Sequence, residues 1–439
     1  MKSLAALAAL LLAAAPLPAA LTAPEQRMVR TVDAANAGDK ALLRRMVDIN
    51  SGTRNLAGVT KMAGLMRAEL EPLGFAVRWT PMPATGRAGV LVAEHRGSGR
   101  GTKMLLIGHL DTVFEADSPF QRFVDRGDTV EGPGVNDMKG GLVIMLSALR
   151  AMKAAGTLAP ADIRIVLSGD EEAVGRPVET ARADLVAAGK WADAAFEFEG
   201  LAQENGRDMG SIARRGSVSW KLRTTGKAAH SSGVFSDAVG FGANYELARI
   251  LDAFRRELRE PNLTYNVGLV LGGAEARTAT DEAIAGTASG KPNIVAGQAI
   301  ATGDIRALSN EQAARVQAKM QAIVAQHLPG TGGGISFDEG YPAMAPTPGS
   351  RALLAALNGV NADLGLATMA ELDPLKRGAG DIAFVAGDAD GLIGLGAAGQ
   401  GSHAVGETAE WPSFARQAKR AAILLSRLAV TPYRPVPAR

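Results

Sequence analysis

The chain has 439 residues, of which 47 % are hydrophobic and 21 % charged, the balance of a globular protein with material for two or three domains. A formal net charge of +2, with Lys and Arg scattered along the sequence, leaves no basic stripe for a nucleic-acid partner. The absence of cysteine excludes a disulfide framework and a lipid-modified cysteine, so a metal would have to be held by His, Asp or Glu.

Met1-Lys2 is a short positive start, and Leu4 to Ala15 is an apolar run too short to cross a bilayer. Pro16 to Ala23 then supplies a helix break and small residues. Residues 1–23 therefore read as a secretory signal cut after Ala20 or Ala23, leaving an exported, periplasmic protein without a membrane anchor. From Pro24 to Leu73 the pattern is helical, with Leu42, Met46 and Ile49 at helical spacing and a second amphipathic helix from Thr53 to Leu73 ending at Gly74. Ala76–Thr80 and Ala88–His95 read as strands. Lys103–His109 is a strand apolar enough to be buried on both faces. After a glycine-rich loop, Gly140–Ala155 is a long helix, Ile163–Ser168 an apolar strand and Asp193–Glu199 a further strand. Alternating strands and helices, with polar residues at strand C-termini, predict an α/β fold that gathers its ligands at one crevice.

Near Ile212 the character changes. Strand 216–225, helix 238–258, strands 264–271 and 293–306, helix 310–326 and strand 334–339 follow in the order β-α-β-β-α-β, a ferredoxin-like α+β unit. Helix 350–364 and the apolar stretch 381–395 return to the first character. The expected organisation is a catalytic domain in two parts, 24–212 and 340–439, interrupted by an inserted domain at 213–339.

Two of the five histidines, His109 and His403, stand in glycine-rich settings far apart in sequence. A histidine in a buried strand is commonly a packed core residue, but Asp111, two positions on, can take the second imidazole N–H and leave the other nitrogen for a metal. Asp137 follows Gly132-Pro133-Gly134, a loop tight enough to aim a carboxylate into a crevice, unless it merely caps the next helix. Glu171 and Glu172 would repel each other unless a cation lies between them or they serve different tasks. In the functional reading Glu172 binds metal and Glu171 accepts a proton from the water that the metal activates. Gly394-x-Gly396-x-x-Gly399 fits a dinucleotide fingerprint, but no apolar helix follows it, so the loop is assigned to delivering His403 rather than NAD.

His109-x-Asp111, Gly132-Pro133-Gly134-x-x-Asp137-x-Lys139-Gly140, Asp170-Glu171-Glu172, Glu199 and His403, in this order, resemble the M20 metallopeptidase family, the glutamate carboxypeptidase and aminoacylase-like group. The resemblance implies a zinc-exopeptidase-like catalytic domain with a mixed, largely parallel sheet and an inserted dimerisation domain. It also implies two Zn2+ ions (Co2+ or Mn2+ as alternatives) bridged by Asp137, roughly 3.5–4 Å apart. His109 and Glu199 would hold one ion, Glu172 and His403 the other. Glu197 competes for the role of Glu199, whose spacing matches the family better. By the same resemblance Glu171 is the general base and Asp111 the orienting acid. His230, in Gly226-Lys227-Ala228-Ala229-His230-Ser231, would reach a partner subunit's site in a homodimer. Asn293 and Arg306 would meet the substrate's carboxylate, although Arg306 could equally sit in a salt bridge.

Two departures put a strict glutamate preference in doubt. Gly378-Ala379-Gly380-Asp381 stands where the family's carboxypeptidases often carry Gly-Gly-Thr-Asp, and Tyr341 stands where some place a basic residue. The expected activity is carboxypeptidase-like removal of a C-terminal amino acid from a peptide or N-acyl amide. The alternatives are an N-acyl-amino-acid deacylase and a silent metal or ligand binder.

Overall fold

The computed structural model describes residues 21–279 and 285–434. The leader expected at 1–23 lies outside the described residues as far as residue 20. Leu21 packs against the main core, and Thr22 caps helix Ala23–Val47 through a reciprocal pair with Glu25, whose carboxylate accepts the Thr22 N–H at 2.7 Å.

A six-stranded sheet organises the larger unit, in the order Ala76–Met82, Arg87–His95, Ile163–Ser168, Met104–His109, Ala194–Glu197, Asp390–Ile393. The last four run parallel, and Arg87–His95 runs antiparallel to both of its neighbours. Alternate residues of the central strand serve two cores. Met104 and Leu106 face the cluster built with Met28, Leu142 and Ile423 from the helices on one side. Leu105 and Ile107 face Leu185 and Ile382 on the other. This two-sided burial is why the strand reads as an unbroken apolar run. Helix Lys139–Ala155 is buried along most of its length between the sheet and helices Ala23–Val47 and Trp411–Leu428. Its start can sit under the sheet edge because a Cβ at Gly141 would come within 1.8 Å of the Phe198 carbonyl oxygen.

The second unit is an antiparallel sheet ordered Thr264–Gly273, Gln298–Arg306, Val218–Gly226, Thr331–Phe337. Helices Ala243–Glu257 and Asn310–Val324 pack on it around Trp220, Ile250, Phe254 and Met320, giving the β-α-β-β-α-β order.

Some boundaries differ from expectation for local reasons. The helix expected from 238 starts at Ala243, because Gly240 and Gly242 adopt left-handed φ of +77° and +81°. The strand expected from 293 starts at Gln298, after Asn293 has used its carbonyl to accept the Ser231 N–H. The hairpin Glu275–Thr278 with Gly286–Ser289 and the helix Trp411–Leu428 have no counterpart among the expected elements. Among the described residues no helix is long and apolar enough to cross a membrane.

Candidate metal centre

Three neighbouring parallel strands end at the same edge and deliver the acidic and imidazole groups there. His109 closes strand Met104–His109, Glu171 and Glu172 follow Ile163–Ser168, and Glu199 lies two residues beyond Ala194–Glu197. Asp137 comes from the loop ahead of helix Lys139–Ala155. The N-cap of that helix is Met138, so Asp137 is free of capping duty. His403 comes from the loop after Gly399 and holds a left-handed φ of +66°, which few non-glycine residues adopt.

Asp137 stands between the two histidines, with one carboxylate oxygen 3.1 Å from His109 Nε2 and the other 3.2 Å from His403 Nε2. The same His403 nitrogen lies 3.1 Å from Glu172. Ligand atoms of His109, Asp137 and Glu172 fall within 4.8 Å of one another, as do those of His109, Glu171 and Glu199. The sequence therefore names a set that the fold brings together, with Glu199 rather than Glu197 facing the others.

Charge is crowded here. Burial pushes the carboxyls of Glu171 and Glu172 above their usual range, Glu171 well above it. Burial opposes protonation of His109, but hydrogen bonds to Asp111 and Asp137 carry its pKa well above the ordinary value. Hydrogen bonds to Asp137 and then Glu172 raise His403 to about 10. Asp137 is opposed by burial yet held far below the carboxylate range by the same two imidazoles. Glu172 Oε1 is buried with no hydrogen-bond partner among the described residues. An orphaned carboxylate oxygen beside two imidazoles and further acids fits a hard-to-borderline cation such as zinc.

A layer behind the cluster holds it in shape. Asp111 is fully buried and meets His109 Nδ1 at 3.3 Å. It accepts the backbone N–H groups of Glu171 and Glu172, each at 3.1 Å, and the Thr53 hydroxyl at 2.6 Å. It therefore couples the histidine to the glutamate pair. Glu407 accepts N–H groups from Gly134, Asn136 and Asp137 at 2.7–3.0 Å, tying the Asp137 loop to the His403 loop; burial pushes it up to about 7. Tyr341 donates to the Glu171 carbonyl at 2.9 Å and receives Arg182 Nη2 at 2.8 Å. Arg182 also pairs with Asp170 and Asp381. Thr53, Arg182 and Glu407 carry no motif that sequence reading could have found.

Glu199 pairs with Arg214, which also holds the buried Glu197 at 2.9 Å. Arg214 donates to the carbonyls of Gly378 and Ala379, and a Cβ at Gly380 would sit 2.4 Å from its guanidinium. A threonine at position 380, as in Gly-Gly-Thr-Asp, would meet that guanidinium. Burial, with Arg214 alongside, pushes Arg377 down to about 10.

His230, Asn293 and Arg306 lie in the second unit. His230 pairs with Ile294 as an isolated bridge and hydrogen-bonds Ser232, next to Asn293. Arg306 pairs with Asp304 at 2.8 Å, the salt-bridge alternative. Among the described residues no hydrogen bond or ion pair joins these three to the cluster.

The chain matches Peptidase family M20/M25/M40 over residues 105–427, and it belongs to that family. Carboxypeptidase G2 of Pseudomonas sp. is 28 % identical over 229 residues, covering 51 % of this chain and 52 % of that protein. A succinyl-diaminopimelate desuccinylase of Leptothrix cholodnii is 32 % identical over 200 residues, covering 43 % and 51 %. The chain thus spans about half the length of these curated relatives. In fold it is similar to a Staphylococcus aureus tripeptidase (TM-score 0.66, 18 % identity, 92 % of this chain and 98 % of that one). It is also similar to a dinuclear metal-binding peptidase of Bacillus subtilis (TM-score 0.62, 15 % identity, 91 % and 99 %).

Proposed function

We propose that this chain is an exported di-zinc amidohydrolase that cleaves an amide bond N-terminal to a free amino acid, with carboxypeptidase-like activity on small peptides. The observation that carries this reading is the unequal fate of two adjacent acids. Glu172 is engaged by His403, whereas the Glu171 carboxylate makes no hydrogen bond among the described residues, while Asp111 and Tyr341 pin its backbone. A free carboxyl whose pKa burial has raised suits a group that must accept and return a proton.

His109, Asp137, Glu172, Glu199 and His403 would hold the ions, which when bound would polarise the substrate carbonyl and favour ionisation of water. Asp111 keeps the His109 ring turned so that Nε2 faces Asp137. Glu171 takes the proton of the attacking water and passes it to the leaving amine. His230 of a partner subunit, in a homodimer, steadies the oxyanion.

A second reading, an N-acyl-amino-acid deacylase, draws support from the similarity to desuccinylases. Amine release from a panel of dipeptides and N-acyl amino acids, with zinc-loaded wild type beside Glu171→Gln, separates the two. Release from dipeptides that vanishes in the variant is expected. Release from N-acyl amino acids alone selects the deacylase, and equal release by both proteins removes Glu171 from the mechanism.

Export rests on the composition of residues 1–23. Of the two cuts, the one after Ala20 keeps Leu21 on the core and the Thr22 cap intact. Mass measurement of the mature N-terminus should find Leu21. A first residue of Pro24, or an uncut chain, would contradict it.

A further inference from the structure

The peptide unit between Glu171 and Glu172 is held from two sides. Its N–H, that of Glu172, is accepted by Asp111 at 3.1 Å. Its carbonyl, that of Glu171, accepts the Tyr341 hydroxyl at 2.9 Å. A peptide unit is planar, so fixing both of its polar ends fixes the plane from which the two glutamate side chains depart. One plane therefore aims both the base and the metal ligand beside it.

Arg182 sets the direction of the hydroxyl. A guanidinium only donates, so its Nη2, at 2.8 Å, uses the Tyr341 oxygen as acceptor and leaves the phenolic proton for the Glu171 carbonyl. Arg182 is itself fixed, fully buried between Asp170 at 2.6 Å and Asp381 at 2.8 Å. The Tyr341 ring packs edge-on to Phe384, with centroids 5.0 Å apart. A basic residue at position 341 could not take this place, because it could not accept from Arg182.

Tyr341 does not belong to the loop it holds. It lies where the chain leaves the second unit after strand Thr331–Phe337, and it pairs with Ser217, where the chain enters that unit ahead of strand Val218–Gly226. The two backbones exchange N–H bonds at 3.0 and 2.8 Å. The departing segment grips the loop beyond Glu172 at two further points. Glu339 accepts the Val178 N–H at 3.0 Å, and Asp338 pairs with Arg176 at 3.3 Å.

Resting on the hydrolase reading above, we infer that Tyr341 is a positioning residue for Glu171, whose hydroxyl, aimed by Arg182, ties the placement of the base to the joint between the two units. It touches neither substrate nor metal and acts through the Glu171–Glu172 peptide plane. A base that must meet a water at hydrogen-bond distance is sensitive to a small turn of that plane, so the effect falls on turnover and leaves substrate binding in place.

The test compares amide hydrolysis and backbone hydrogen exchange in zinc-loaded wild type and Tyr341→Phe, with zinc content measured on both. Phenylalanine keeps the ring and the pairing with Ser217 and removes only the hydroxyl, while Arg182 keeps its two carboxylates. In the variant kcat should fall about tenfold to a hundredfold, with KM within about twofold of wild type and zinc content unchanged. The Glu172 amide should exchange faster while the amides of strand Ile163–Ser168 keep their protection. Wild-type kcat in the variant overturns the inference, and so does unchanged exchange at Glu172. A loss of kcat that comes with loss of zinc, or with faster exchange throughout the strand, also overturns it, because that marks a merely structural residue. The hydrolase reading fails by a different observation: wild type cleaves no amide on the panel, while exchange at Glu172 still reports whether the hydroxyl holds the plane.

Discussion

Glu171 and Glu172 are adjacent in sequence and share Asp111 through their backbones, yet their carboxylates have different partners, and the first two predictions come from that contrast and from the acid behind it. Glu171→Gln keeps the shape of the side chain and removes the base. It should lower kcat by about 10²- to 10⁴-fold while zinc content stays at the wild-type level. Asp111→Asn removes a full charge from the group that joins His109 to the backbone of both glutamates, so zinc affinity should fall by about 10- to 100-fold, read by competition with a chelating dye. Unchanged affinity would mean that the buried acid serves stability alone. The two imidazoles also share protons with carboxylates when no ion is bound, at 3.1–3.2 Å. Zinc must displace those protons, so calorimetry in two buffers of different ionisation enthalpy should show proton release from His109 and His403 near pH 7. Apparent affinity should weaken as pH falls toward 6. The ligand candidates were legible because each sits in a short local pattern. Thr53, Arg182, Arg214 and Glu407 were not, since they act through contacts between residues 12 to 273 positions apart or by filling space.

At the level of elements, the site depends on strands ending at one edge. Strand Met104–His109 is held from both faces, so Leu106→Ala opens a cavity in the core on one of them and should destabilise the protein by about 2–5 kcal/mol in chemical denaturation. A cost below 1 kcal/mol would mean that this core closes around the gap. Strands such as Ile163–Ser168 and Met104–His109 were legible within a residue or so because a doubly buried strand must be apolar throughout. Helix Trp411–Leu428 escaped notice because its start follows a glycine-rich loop and is set by the strand Thr408–Glu410 pairing with Thr129–Glu131. Nothing local announces that partner. The hairpin Glu275–Thr278 with Gly286–Ser289 is four residues a side, too short for a periodic signal.

On the scale of the whole molecule, the second unit presents its outer strand Thr264–Gly273 at the sheet edge with Val267 and Val270 37 % and 53 % exposed. An edge strand with exposed apolar side chains suits pairing with a second copy of the chain. Sedimentation of the mature protein should therefore give a dimer, and His230→Ala should lower kcat without releasing metal. A fully active monomer would remove His230 from the reaction. The β-α-β-β-α-β order of that unit was legible from the alternation of strands and helices. Whether His230 reaches a neighbouring site was not, because it depends on a second chain.

The central claim is that the edge of the main sheet is a two-metal centre. Anomalous diffraction at the zinc edge from crystals of the zinc-loaded protein tests it most directly. Two peaks are expected, one on either side of Asp137, the first beside His109 and Glu199 and the second beside Glu172 and His403. A single peak, or peaks away from these five side chains, would contradict the account.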